Sequence, residues 1–227
     1  KIGHEIPGFG GSFYRQTIPV LASITHGLQP PGYVPEAGPV MVRSGSCSFL
    51  MQTDTTTNNI NAINTLPPQN RLSACVLASG SRGNSIFISD GECSLLVDAG
   101  LSGIEIERRL LACGQSPEML DAILISHEHT DHIQSAGVLA RRYKLPVYIS
   151  KNTLRAACAQ LGKLNDLRYF ESGVTFFLNH LQIHPFSISH DAADPAGFTF
   201  MRGGRKIGLA TDLGTVTAVV RDHLQAS

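Results

Sequence analysis

The sequence of 227 residues has no net charge, no CxxC pair and no long apolar run. Because the formal net charge is zero, a site for nucleic acid or for an anionic membrane would have to be a local feature. No apolar run approaches the roughly 20 residues of a membrane helix, and the opening KIGHEIPGFG is not a signal peptide pattern. We therefore expect a cytoplasmic protein that does not enter a membrane.

The five cysteines are odd in number and far apart along the chain: Cys47, Cys75, Cys93, Cys113 and Cys158. A disulfide framework or a cysteine-rich zinc site is therefore not expected. We expect buried free thiols in a reducing cytoplasm.

The character of the sequence changes near residue 70. Residues 1–70 are dense in Pro, Gly, Thr and Asn and show little apolar periodicity, so little burial would offset their ordering entropy. We expect a poorly ordered or unrelated extension there, with one short strand at PVMVRS. Residues 71–227 are expected to form the functional domain.

From Arg71 onward, short apolar segments alternate with segments of helical spacing. Strands are predicted at ACVLAS, SIFIS, CSLLVDAG, DAILIS, LPVYIS, LRYF, VTFFL and LQIHPFSIS. Helices are predicted at IEIERRLLACG, IQSAGVLARRY, NTLRAACAQLG with Asn152 as N-cap, and TVTAVVRDHLQ. GFTFMRGGRKIGLATD predicts a hairpin that turns at Gly203 and Gly204. This order is typical of an α/β layered fold, with helices packed outside the sheets.

The segment SHEHTDH, residues 126–132, crowds metal-binding side chains behind a predicted strand. In an extended loop His127, His129 and Asp131 lie on one side, and His132 follows at the start of a helix. Glu128 and Thr130 alternate with these residues and are expected to point away. Imidazoles with a carboxylate suit zinc above all, with manganese or iron(II) as alternatives.

Further ligands are needed, since these groups alone would leave two metals incompletely coordinated. His190 and Asp212 each follow a predicted strand, and Asp98 ends another. Loops at strand ends are the usual place for functional residues on a rigid sheet. We expect these three residues to join the histidine cluster.

The motifs HEHTDH, LLVDAG, SISHDA and GLATDLG together resemble the metallo-β-lactamase superfamily of metallohydrolases. LASGSRGNSIFI and SHDAADPAGFTF resemble its YycJ-type (WalJ) subgroup of cytoplasmic exonucleases. The resemblance implies an αββα sandwich. It also implies a first metal held by His127, His129 and His190 and a second held by Asp131 and His132. Asp212 would bridge the two metals, and Asp98 would support the loop at residues 126–132 that carries most of the ligands.

The resemblance further implies hydrolysis by a hydroxide that two metal ions activate, with Asp131 or Asp98 orienting the water. Family members supply a last histidine well past the bridging aspartate, whereas this sequence ends at Ser227. We therefore expect a chain truncated at its C-terminus, holding fewer than two metals and having weak or no activity. An inactive fragment is one alternative, and a thioesterase or lactonase on the same scaffold is another.

The expected substrate is nucleic acid, most specifically DNA. A stretch rich in basic residues follows the cluster and could bind phosphates, although solvated helix faces would have the same composition. Its members are Arg141, Arg142, Lys144, Lys151, Arg155, Lys163 and Arg168. Ser81 and Asn84 in SGSRGNS are candidate substrate contacts, because turns of small residues can present amides to a phosphate, but a tight hairpin turn is equally compatible. Asp191 is a third candidate, and no oligomeric state is predicted.

Overall fold

The computed structural model describes the backbone of residues 21–26 and residues 72–225 in full, so the strand predicted at PVMVRS lies outside the described residues. The strands are β1 (Leu21–His26), β2 (Ser73–Ala78), β3 (Ser85–Ser89), β4 (Ser94–Val97), β5 (Ala122–Leu124), β6 (Val147–Ile149), β7 (Leu167–Tyr169), β8 (Phe176–Leu178), β9 (Leu181–Ser187), β10 (Ala196–Arg202) and β11 (Arg205–Ala210). The α-helices are α1 (Gly103–Ala112), α2 (Thr130–Ile133), α3 (Ala136–Tyr143), α4 (Lys151–Leu161) and α5 (Ala218–Leu224).

The first sheet has six strands in the order β2-β3-β4-β5-β6-β7. Strands β2 to β4 are antiparallel neighbours, and β4 to β7 run parallel. Parallel neighbours need crossover connections, which α1, α3 and α4 supply. The carboxyl ends of β4 and β5 therefore lie side by side at one edge.

The second sheet has the order β1-β11-β10-β9-β8 and is antiparallel throughout. The predicted hairpin is present as β10 and β11, joined by Gly203 and Gly204 with φ angles of 54° and 76°. Strand β1 pairs with β11 and lies in the segment where we predicted a strand only at PVMVRS.

Three apolar layers show how the elements stack. Between the sheets, side chains such as Ile88 and Leu95 meet Phe198 and Phe200 from the opposite sheet. Helices α1, α3 and α4 cover the outer face of the first sheet, with Leu110 among their buried residues. Helix α5 covers the second sheet in a smaller cluster. The layers are thus α, β, β and α, as the resemblance implied.

The local structure corrects two helix predictions. Helix α4 begins at Lys151, and its N-cap is Ser150, whose hydroxyl accepts a hydrogen bond from the Thr153 amide; the prediction of Asn152 was wrong. The helix predicted over IQSAGVLARRY is divided, because α2 ends at Ile133 and α3 begins only at Ala136.

The expectation that all cysteines are buried free thiols was also wrong. Cys75 on β2 and Cys113 at the end of α1 have their sulfur atoms in contact, although the two residues are 38 positions apart in the sequence. Both belong to the layer under α1, a proximity that spacing along the chain does not reveal. Of the free cysteines described, Cys93 is buried and Cys158 is exposed.

None of the helices in the described part of the chain combines the length and the apolar character needed to cross a bilayer.

Candidate metal centre

Four chain segments meet at one edge of the sandwich and bring the predicted ligands together. The metal loop, residues 126–132, follows β5, and Asp98 follows the neighbouring β4. His190 lies beyond β9, and Asp212 lies beyond β11. Two sets of side chains have ligand atoms that all lie within 4.8 Å of one another. One set is His127, His129 and His190; the other is His127, His132 and Asp212.

His127 is the common member of both sets. Its side chain is buried, and its Nδ1 lies 2.9 Å from the Ser126 hydroxyl. Burial, together with the neighbouring imidazoles, lowers the pKa of His127 from 6.5 to about 2, so the ring is neutral. Its Nε2 is buried and makes no hydrogen bond with any described residue. A neutral imidazole with a free, buried nitrogen is suited to coordinate a metal.

His132 lies between two carboxylates. Its Nδ1 is 2.7 Å from Oδ2 of Asp98, and its Nε2 is 2.7 Å from Oδ2 of Asp212. Burial works against the charged ring, but Asp98 and Asp212 outweigh it and raise the pKa of His132 from 6.5 to about 10. In return, contact with His132 lowers the pKa of Asp212.

Asp98 is fully buried, and its carboxylate is fully engaged. Oδ1 accepts a hydrogen bond from the Ser126 amide at 2.8 Å, and Oδ2 accepts one from the Ser126 hydroxyl at 2.7 Å, besides contacting His132. A carboxylate that holds the far nitrogen of a ligand histidine fixes the orientation of that ring. This arrangement favours support of the metal loop by Asp98 over contact with a reacting water.

The backbone at the site is unusual. Asp98 and Asp212 have φ angles of 60° and 52°, in the left-handed region that side chains other than glycine rarely adopt. Gly100 packs against the metal loop so closely that a Cβ there would lie 1.6 Å from the carbonyl oxygen of Asp131. Such conformations recur at functional sites, where the surrounding structure maintains them.

The donor set fits a divalent metal. Besides His127 Nε2, Oδ2 of Asp212 is buried, and it forms an ion pair of 2.7 Å with Nε2 of His132. A cation between these atoms would satisfy both. Because one imidazole nitrogen coordinates a single ion, His127 cannot serve both sets at once, and a second ion would need another ligand.

Asp131 is in neither set but lies beside the second. Its Oδ2 is 4.0 Å from Nε2 of His132, and its side chain is 31% exposed. Asn84 donates a hydrogen bond from Nδ2 to the same oxygen at 3.4 Å, and its amide lies 2.9 Å from His132 Nε2. Asn84 is buried and contacts the metal loop through Asp131, whereas Ser81 and Asp191 are exposed.

Sequence reasoning missed three contributors to the site. Ser126 joins Asp98 to His127, Gly100 makes room for the metal loop, and Glu128 contacts the loop after His190. Ser126 and Glu128 could have been singled out from the sequence because each is adjacent to a predicted ligand. Gly100 is the last residue of the predicted strand CSLLVDAG, and that pattern does not indicate its close packing.

Comparison with known proteins gives consistent relatives. Residues 94–227 match the family described as Beta-lactamase superfamily domain. The chain is 43% identical over 146 residues to Exodeoxyribonuclease WalJ of Streptococcus pneumoniae, a match that covers 63% of this chain and 54% of the relative. It is 40% identical over 144 residues to Exodeoxyribonuclease YycJ of Bacillus anthracis, with the same coverage of 63% and 54%. The chain thus spans about half the length of the curated relatives it matches.

A solved structure, the beta-lactamase from Chitinophaga pinensis, superposes with a TM-score of 0.51 over 62% of this chain and 60% of that one, at 12% identity. At this identity the likeness concerns the fold alone.

Proposed function

The chain belongs to the beta-lactamase superfamily, and from that premise we propose that it is a metal-dependent phosphodiesterase that shortens DNA from an end. One observation carries the proposal. The two ligand sets around His127 occur in a chain that is 43% identical over 146 residues to a relative named as an exodeoxyribonuclease. The metal set supports hydrolysis, and the relatives' names support the substrate class.

The fold of this family implies binding of divalent metal ions at the candidate centre. For the whole protein we propose two ions, zinc in the first instance, with manganese or iron as alternatives, because imidazole and carboxylate ligands suit all three. When bound, such ions supply Lewis-acid stabilisation of phosphoryl oxygens and a nucleophile derived from water near neutral pH. His127, His129 and His190 would hold the first ion; His132, Asp131 and Asp212 would hold the second.

The chain's own residues divide the remaining work. Asp98 and Ser126 keep His132 and His127 in fixed orientations from beneath. Asp131, partly exposed beside the second set, is the carboxylate available to orient a reacting water. Ser81 and Asp191 remain candidate substrate contacts, as their exposure permits. For Asn84, its contacts support a role in holding Asp131.

The basic stretch contributes less charge than its composition suggests. Arg142 forms an ion pair with Glu107, and Arg168 forms one with Asp166. Arg141 donates hydrogen bonds to two backbone carbonyls. Contacts with phosphate are therefore expected from the four other cations of the stretch, which form no ion pair among the described residues: Lys144, Lys151, Arg155 and Lys163.

Of these cations, Lys151 and Arg155 are the best placed. Both line a cleft of about 350 Å³ whose lining also includes two acids, Glu171 and Asp194, the latter in the loop that follows His190. Thr153, on the same helix, donates a hydrogen bond to the Asp194 carbonyl at 3.2 Å. The cleft therefore borders the loop that follows His190, and we propose that a DNA strand passes along it. A cytoplasmic location stays a prediction.

The test uses single-stranded and duplex DNA labelled at either end, incubated with the chain and with a full-length relative in zinc or manganese. For a full-length counterpart we expect progressive shortening that requires metal and is abolished by Asp131→Ala or His127→Ala, whereas the chain itself is expected to show weak or no shortening. Lys151→Ala with Arg155→Ala should weaken DNA binding, whereas the control pair Lys144→Ala with Lys163→Ala should do so less. Undiminished shortening in the Asp131 and His127 variants, or hydrolysis of a thioester with no action on DNA, would contradict the proposal.

A further inference from the structure

Glu128 lies between the candidate ligands His127 and His129 but belongs to neither ligand set. Its carboxylate instead crosses to another segment, where Oε1 accepts a hydrogen bond of 2.7 Å from the backbone amide of Ala193. Its Oε2 is buried without a hydrogen-bond partner among the described residues. Because this hydrogen bond joins two segments that are far apart in the sequence, it can fix the position of a loop.

The segment it holds is the His190 loop, residues 190–195, which joins β9 to β10. The neck of the loop is closed by the Ile188 amide, which donates to the Pro195 carbonyl at 3.2 Å. Beyond the neck, the Ala196 amide donates to the Ser126 carbonyl at 3.1 Å. Both contacts lie at the base of the loop, so they leave its outer part to be held by other groups.

The outer part of the loop decides where His190 lies. Nε2 of His190 is 3.1 Å from Nδ1 of His129, so the two rings face each other from different segments. Thr153 holds the loop from the side of α4, through the Asp194 carbonyl. Glu128 also ties it to the metal loop, through a backbone amide and from a position one residue away from each of two ligands.

We propose that Glu128 is a positioning residue, which holds the His190 loop against the metal loop so that His190 meets His127 and His129 around one cation. The inference rests on the proposed metal centre and deepens it. Glu128 acts through the backbone of Ala193 and so through His190. Its loss should therefore affect the metal affinity of the first ligand set.

The experiment measures zinc affinity by competition with a chromophoric chelator, without any activity assay. Glu128→Ala should weaken zinc binding by roughly 10- to 100-fold, the usual effect of removing a group that orients a ligand. Glu128→Gln should stay close to wild type, because its amide oxygen still accepts from the Ala193 amide. Asp222→Ala, an exposed carboxylate on α5, is the control and should bind as wild type does.

A double-mutant cycle separates positioning from general damage to the fold. If Glu128 acts through His190, then Glu128→Ala combined with His190→Ala should bind zinc no more weakly than His190→Ala alone. Additive losses would overturn the proposal, as would wild-type affinity in Glu128→Ala or equal losses in the Gln and Ala variants. Absence of zinc binding by the wild-type chain would instead overturn the metal centre itself.

Discussion

Asp98 gives the sharpest prediction, because it is fully buried and supports the metal loop through three contacts. Asp98→Ala would leave the Ser126 amide unpaired and the charged His132 with one carboxylate instead of two. Breaking a buried charge pair by removing one partner costs about 3–5 kcal/mol. The free energy of unfolding of a domain is about 5–15 kcal/mol in total, so the variant should lose a large part of its stability.

Urea unfolding of the metal-free protein measures this loss. Asp121→Ala is the matched control, since Asp121 accepts one hydrogen bond of 2.8 Å from the Ser94 amide at an exposed position. We expect the free energy of unfolding of that variant to fall by about 1 kcal/mol. Asp98→Asn keeps the shape of the side chain and one acceptor oxygen, so its loss of unfolding free energy should lie between those of Asp98→Ala and Asp121→Ala. If Asp98→Ala unfolds at the same urea concentration as Asp121→Ala, the buried charge pair does not contribute as argued.

Two further predictions concern the metal loop and its contacts. Gly100→Ala would place its Cβ 1.6 Å from the Asp131 carbonyl oxygen, so the free energy of unfolding should fall by at least roughly 1–3 kcal/mol. The control is Gly103→Ala, where the nearest atom is 3.5 Å away; it should be neutral or stabilising, and equal losses in the two variants would refute the packing argument. The folded-state pKa of His132 is raised from 6.5 to about 10, so its stabilisation is complete below pH 6.5 and is lost as pH rises toward 10. The urea midpoint of the metal-free protein should fall over that interval, less so in Asp98→Asn, and a flat profile in the wild type would contradict the assignment.

The strand ends that carry the site could be predicted from the sequence. The apolar segments before Asp98, His127, His190 and Asp212 are short and sharply bounded, so a sheet with functional groups at its edge follows from pattern alone. The αββα layering and the family came from the resemblance, and the structure and the family match confirm both.

What could not be predicted depends on contacts between distant segments. Asn84 was one of three candidate substrate contacts, and it is buried against Asp131, which lies 47 residues away. Glu128 was correctly expected to point away from the ligands, but its partner Ala193 lies 65 residues further along. The spacing of residues along the chain indicates neither contact, because only tertiary packing brings these pairs together.

The most direct test of the central claim is the zinc content of His127→Ala after equilibrium dialysis, compared with the wild type and with His223→Ala. His223 is the control because its ring packs on Phe186, 4.6 Å between centroids, away from the ligand sets. Since both ligand sets share His127, we predict that His127→Ala loses the most tightly bound zinc while His223→Ala retains it. Wild-type zinc content in His127→Ala would contradict a metal centre organised around this residue.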